Sequence, residues 1–127
     1  MAFACPRCCS EDSLAIVIGI ELPPDSRSDE ISLQVLQCSD CGFRGLAVYE
    51  ESRRGALNSD AWEHTGYQVD ENVVNTITEL INNCPDRSHS GCPCESHQIL
   101  GQREQNGRWN GIGKYEVKGM FPLSRNL

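Results

Sequence analysis

Three features of the 127-residue chain predict a small α+β fold: an antiparallel sheet, one amphipathic helix and a C-terminal hairpin. Strand-like segments dominate the first half. A single helix-periodic apolar stripe runs through residues 70–81. The eight cysteines fall into two groups, one on either side of that helix. Only 39% of the chain is hydrophobic and 6% aromatic, which permits a modest core of the kind that usually needs a staple.

The strands come first. Leu14-Ala-Ile-Val-Ile-Gly-Ile20 is rich in β-branched residues, and Ile31-Ser-Leu-Gln-Val-Leu-Gln37 alternates apolar and polar for most of its length. Pro23-Pro24-Asp25-Ser26 marks a loop between them. Phe43-Arg-Gly-Leu-Ala-Val-Tyr49 offers a third strand.

Cysteine pairs bracket these strands. Cys5-Pro-Arg-Cys8 and Cys38-Ser-Asp-Cys41 form a C-x2-C…C-x2-C pattern with 29 residues between the pairs. A two-residue spacer lets one tight turn aim both thiolates at one ion, and four thiolates suit tetrahedral Zn²⁺. Gly42 follows the second pair, where the chain leaves the turn and a positive φ is often required. Cys9 could replace Cys8 as a ligand, but the spacing favours Cys8.

Knuckle, two strands, knuckle with Cys-x2-Cys-Gly, then a strand: over residues 5–49 the chain resembles a zinc ribbon. The resemblance implies an antiparallel ribbon sheet holding a structural zinc. Zinc ribbons occur in transcription factors and ribosomal proteins, and as small struts inside enzymes. The rubredoxin family shares the paired knuckles, and there the ion is redox-active iron. The resemblance therefore specifies a metal site more sharply than a function, and it does not extend beyond residue 49.

Glu50-Glu-Ser-Arg-Arg-Gly55 is charge-dense and reads as a solvated loop tied down by arginine–carboxylate pairs. Asn58-Ser-Asp60 supplies capping residues for a short helical turn through Ala61-Trp-Glu-His64, with Gly66 as its stop. In the segment Asp70–Ile81, Val73, Val74, Ile77, Leu80 and Ile81 fall on one face of a helix with Asp70 as N-cap. That stripe is expected to pack on the ribbon sheet.

The second cysteine group, Cys84, Cys92 and Cys94, follows at once, with His97 close behind. Three thiolates and an imidazole complete a Cys3His zinc set, with His89 as a competing ligand. Between Cys84 and Ser96 there is no Ile, Leu, Val or Phe, so a metal rather than a core is expected to order this loop. If His97 were not a ligand, three cysteines and a water would make a catalytic site with Glu95 as base.

Asn106-Gly107 signals a hairpin turn with arms over residues 98–104 and 108–117. The expected organisation is a single zinc-stabilised domain over 1–119: ribbon at 3–49, helix and second zinc loop at 70–97, hairpin at 98–118. Residues 120–127 are then a tail. Loss of the first site is expected to unfold residues 5–49, and loss of the second to release only a surface loop.

Charge narrows the partners. Net charge is −7, and residues 1–100 hold six Lys/Arg against sixteen Asp/Glu, which gives −10. An acidic body repels phosphate backbones. The exception is the segment after residue 100, with Arg103, Arg108, Trp109 and Lys114, which could contact nucleic acid. The longest apolar run, Leu14 to Ile20, is seven residues, far short of the ~20 a membrane span needs. With no signal-like N-terminus, the chain is expected to be cytoplasmic. No nucleophile–base arrangement or phosphate loop is visible, so the expectation is a metal-stabilised module presenting a surface to a protein or nucleic-acid partner, rather than an enzyme. The alternatives are an iron electron carrier at the first site and a zinc hydrolase at the second.

Overall fold

The structure, a computed structural model, describes residues 2–52 and 61–123. Among them, six strands hydrogen-bond in chain order into one sheet: β1 (Ala2–Phe3), β2 (Leu14–Leu22), β3 (Glu30–Cys38), β4 (Arg44–Ser52), β5 (Ala61–Gln68) and β6 (Gly119–Pro122). Every neighbouring pair is antiparallel. Two helices, α1 (Glu71–Asn83) and α2 (Glu95–Leu100), lie between β5 and β6 in sequence. The architecture is α+β; β2 and β3 contain the first two expected strands, and β4 starts one residue after the third, at Arg44, and runs on to Ser52.

A bulge in β2 lets one strand serve two cores. Leu14 opposes Cys38 and Ile16 opposes Leu36, but Ile18 then opposes Val35, with Val17 left over between them. An extra residue in one strand reverses which face the following side chains take. Leu14 therefore joins Phe3, Leu36, Cys38, Phe43 and Ala47 in one cluster. Ile20 and Leu22, both even-numbered like Leu14, instead join Ile31, Leu33, Val35, Leu46 and Val48 on the opposite face. Val17 itself is 55% exposed.

Helix α1 covers the second of these faces. Val74, Ile77 and Ile81 are fully buried, with Val73 and Leu80 packed at the margin, and the helix lies against β2, β3 and β4. Each fully buried aliphatic side chain contributes about 1.5–3 kcal/mol, so the stripe holds the helix more firmly than its caps do. Asp70 stands at the N-cap position but makes no capping hydrogen bond. Its carboxylate instead pairs with Lys118 Nζ at 2.5 Å.

Three expected elements are corrected. Ala61–His64 is not a helical turn but the start of β5, which pairs along β4 from Ser52↔Ala61 to Leu46↔Tyr67. Trp62, Thr65 and Tyr67 are residue types that suit a strand, and β4 offers an edge to pair with. Gly66 is no helix stop: a Cβ there would overlap the Phe121 ring on β6. The proposed caps Asn58 and Asp60 lie outside the described residues, as do Arg53 and Arg54.

The hairpin over 98–118 shrinks to its tip. Residues 95–100 are helical, because Cys94 Sγ caps the His97 N–H at 3.4 Å and Ser96, His97 and Leu100 form a buried helical face. Arg103 and Trp109 make one antiparallel bridge around a turn with Gly107 at φ +84°. Trp109 Nε1 then donates to the Leu100 carbonyl at 2.7 Å. That bond draws the chain over the larger core, where Ile112 is buried, instead of extending a second arm.

The expected tail is in part a strand. Gly119–Pro122 forms β6 on β5, Phe121 meets Phe43 edge-on at 6.1 Å, and Leu123 is 3% exposed. Residues 124–127 lie outside the described residues.

Candidate metal centres

Two groups of side chains, Cys5, Cys8, Cys38 and Cys41, and Cys84, Cys92, Cys94 and His97, could each hold a metal ion. The ligand atoms of each group lie within 4.8 Å of one another. All eight cysteines are free thiols.

In the first group, Cys5 Sγ lies 3.6 Å from Cys41 Sγ, and Cys8 Sγ 3.7 Å from Cys38 Sγ. Disulfide sulfurs would be about 2.05 Å apart, whereas metal–sulfur bonds of about 2.3 Å in a tetrahedral array separate sulfurs by about 3.8 Å. The spacing therefore admits a tetrahedral ion. Two turns at the same end of the sheet supply the ligands, one between β1 and β2, the other between β3 and β4.

The turns are built alike. The Cys9 N–H donates to the Cys5 carbonyl at 3.0 Å, and the Gly42 N–H to the Cys38 carbonyl at 3.1 Å. Within each, backbone N–H groups approach the leading sulfur: Arg7 to Cys5, and Asp40 and Cys41 to Cys38, all at 3.4 Å. Cys9 has φ +63° and Gly42 φ +77°. Cys9 thus occupies the turn-exit position, exposed and outside the cluster, and Cys8 stands with the other three.

The environment separates these thiols. Burial pushes Cys5 up to about 11. The Ser13 hydroxyl, 3.3 Å from Cys38 Sγ, and then the N–H groups of Cys41 and Asp40, bring Cys38 down to about 6 despite burial. Four sulfurs this close cannot all ionise without a cation among them.

In the second group, Cys84 ends α1 while Cys92 and Cys94 lead into α2. Cys84 Sγ lies 3.8 Å from Cys92 Sγ, and His97 Nδ1 lies 3.3 and 3.2 Å from the sulfurs of Cys84 and Cys94. His97 Nε2 is 2.8 Å from the Glu21 backbone carbonyl. A carbonyl can only accept, so Nε2 carries a proton, and Nδ1 is the nitrogen left available to an ion among the sulfurs. This is how metal-binding histidines are usually oriented. His89 is exposed and outside the cluster. Glu95 is exposed too, on α2.

Burial pushes Cys84 up to about 11. Burial also raises Cys94, yet the backbone N–H and ring of His97 outweigh it and bring Cys94 down to about 6. The site is no surface loop. Cys84 and Cys92 belong to the larger core cluster, with Cys94 packed against it. A sequence window of polar residues concealed this, because the apolar neighbours come from the sheet and α1.

Sequence reasoning overlooked one residue. Asp25, whose side chain is fully buried, accepts from the N–H groups of Arg27 and Ser28 and from the N–H of Trp109, and pairs with Arg108 at 2.6 Å. Its signal was present, since Asp after Pro-Pro favours a turn that its own side chain closes. Arg108 also reaches Glu50 at 3.3 Å, and Arg103 donates to the Pro24 carbonyl. The basic C-terminal residues are thus drawn into the fold: Arg103 and Arg108 fasten the turn to the β2–β3 loop, and Trp109 packs on the larger core.

Among the described residues, no helix is long and apolar enough to cross a membrane. No protein-family model, curated protein or solved structure matches the chain.

Proposed function

We propose that the chain is a structural-zinc binding module that presents a surface to a protein partner. In this reading Cys5, Cys8, Cys38 and Cys41 hold one Zn²⁺ in a zinc ribbon, and Cys84, Cys92, Cys94 and His97 hold a second. Zinc would supply no redox chemistry here, only bonds between segments that are far apart in sequence. The observation that carries the reading is that each cluster offers four ligand atoms at tetrahedral spacing. A fourth donor in each cluster disfavours an open position for water. That weighs against a hydrolase at the second site, where Nδ1 of His97 already faces the sulfurs.

A protein partner is favoured over nucleic acid because Arg103, Arg108 and Trp109 are engaged within the fold, on an acidic body. Eight free cysteines suit a reducing compartment such as the cytoplasm. Elemental analysis and an absorption spectrum of the purified protein test the metal assignment. Two zinc ions per chain and no visible absorption are expected. Iron with visible thiolate-to-metal bands would overturn it in favour of a rubredoxin-like electron carrier, and a single zinc would remove the second site.

A further inference from the structure

The two cysteine clusters meet solvent differently. Both lie wholly within the described residues. In the first, Cys5 and Cys38 are buried and Cys41 is half-buried, but Cys8 is exposed. In the second, Cys84, Cys92 and His97 are buried, Cys94 is half-buried, and no ligand is exposed.

Place in the fold accounts for the difference. Cys5 and Cys38 pack with Phe3, Leu14, Leu36 and Phe43 in the smaller core. Arg7, Cys8 and Cys9 are exposed in succession, so Cys8 belongs to the outer side of its turn. The second cluster is enclosed instead. Cys84 and Cys92 join the larger core with α1 and the sheet, and His97 is held on the Glu21 carbonyl.

Thiolates, not thiols, react with peroxides, and accessibility decides which thiolate reacts. Cysteines that hold a metal ion are deprotonated, so exposure is what separates the two clusters. A disulfide also needs a second sulfur within reach. Cys38 Sγ lies 3.7 Å from Cys8 Sγ, and closing the bond brings the pair to about 2.05 Å. Cys9 is a poor partner although it is adjacent. Successive Cα atoms are about 3.8 Å apart, below the roughly 4.4–6.8 Å that disulfides usually span. In the second cluster the sulfurs of Cys84 and Cys92 lie 3.8 Å apart, but both are buried. Its fourth ligand is an imidazole, which forms no disulfide.

We propose that the first cluster is a peroxide-sensitive switch, in which Cys8 and Cys38 are oxidised to a disulfide and the ion is released while the second cluster keeps its own. Cys8 Sγ attacks one oxygen of hydrogen peroxide. An S–O bond forms, the O–O bond breaks, and the departing hydroxide takes a proton from solvent to become water. Cys38 Sγ then attacks Cys8 Sγ. The S–S bond forms, the S–O bond breaks, and a second hydroxide leaves and is protonated. Two electrons pass from the two sulfurs to one peroxide, and none passes through the ion. Cys5 and Cys41 alone cannot close a four-ligand site, so the ion leaves. The new disulfide still joins the two turns, and the larger core is untouched. The inference rests on the zinc reading and adds regulation to one of its two sites.

Hydrogen peroxide added to the reduced, zinc-loaded protein tests it. A metallochromic indicator follows zinc release, and peptide mass mapping after an acid quench and alkylation locates the disulfide. Zinc content is measured before any oxidant is added. Fewer than two zinc ions per chain at that point would overturn the zinc reading, and this inference with it. One ion is expected to leave as Cys8 and Cys38 become linked. Release of the second ion should be slower by a factor of about ten or more. Amide protection should fall in β1 and the two knuckle turns and persist in α1 and α2. A thiol reductant with added zinc should restore the starting state. Cys9→Ser should release its first ion at the unmodified rate. Equal release of both ions, a Cys84–Cys92 disulfide formed first, or two ions retained in excess peroxide would overturn the inference and leave the zinc reading standing. So would Cys8 linked to Cys5 or Cys9 in place of Cys38, or release that depends on Cys9.

Discussion

Cys9 and Gly42 occupy the same place in two turns of the same design, and only one of them is the residue that place prefers. A left-handed backbone costs an L-residue roughly 1–2 kcal/mol relative to glycine. Cys9→Gly should therefore raise stability by about 1 kcal/mol in urea unfolding and leave metal content unchanged, while Cys8→Ser should lose one ion. Loss of an ion from Cys9→Gly would mean that Cys9, not Cys8, is the ligand. Asp25 makes a second test at this scale. Burial alone would raise its carboxyl, but the N–H groups of Trp109, Ser28 and Arg27, and Arg108 beyond them, hold it below its ordinary value. A depressed carboxyl stabilises the fold fully above its unfolded value of about 3.9, and that stabilisation fades as pH falls through the folded value. Asp25→Asn should cost about 2–4 kcal/mol at neutral pH, and the gap to the unmodified protein should narrow below about pH 4. Parallel denaturant curves across pH would check this; a gap that widens in acid would refute it.

Among the elements, β2 to β4 and α1 were legible because their own side chains carry the pattern: β-branched or alternating residues bracketed by knuckles, and one stripe at helical spacing. What escaped depends on partners distant in sequence. The segment Ala61–Gln68 becomes a strand because β4 presents an edge and Phe121 packs over Gly66. The β6 strand requires β5 in turn. Helix α2 has a thiol for its cap, which no capping rule anticipates. The bulge at Val17 was hidden because Leu14, Ile16, Ile18 and Ile20 look like one continuous face. Deleting Val17 would remove the extra residue and force either Leu14 or Ile20 out of its core. It should destabilise by more than 3 kcal/mol, as for loss of a large buried side chain, whereas Val17→Thr should stay within about 0.5 kcal/mol. Equal losses from the two changes would show that the bulge does not set the register.

At the scale of the molecule, each cysteine cluster belongs to its own core. Cys5 and Cys38 are buried with Phe3, Leu14 and Leu36 on one side of the sheet. Cys84 and Cys92 lie with α1, Leu100 and the sheet on the other, and His97 reaches across to the β2 backbone at Glu21. Spacing in the sequence pointed to the eight residues that gather into the two clusters, but not to how deeply the second cluster lies in the core. We therefore expect Cys94→Ser to disturb α2 and the outer half of β2, and Cys38→Ser to disturb β1 and the knuckle ends of β2 to β4. The most direct test of structural metal is amide hydrogen exchange on the purified protein before and after complete metal removal by a chelator under reducing conditions. The account predicts that removal abolishes protection in β2–β4 near the knuckles and in α1 and α2 together, and that added zinc restores it. Protection that stays at its original level throughout the sheet and both helices after the metal has gone would contradict it.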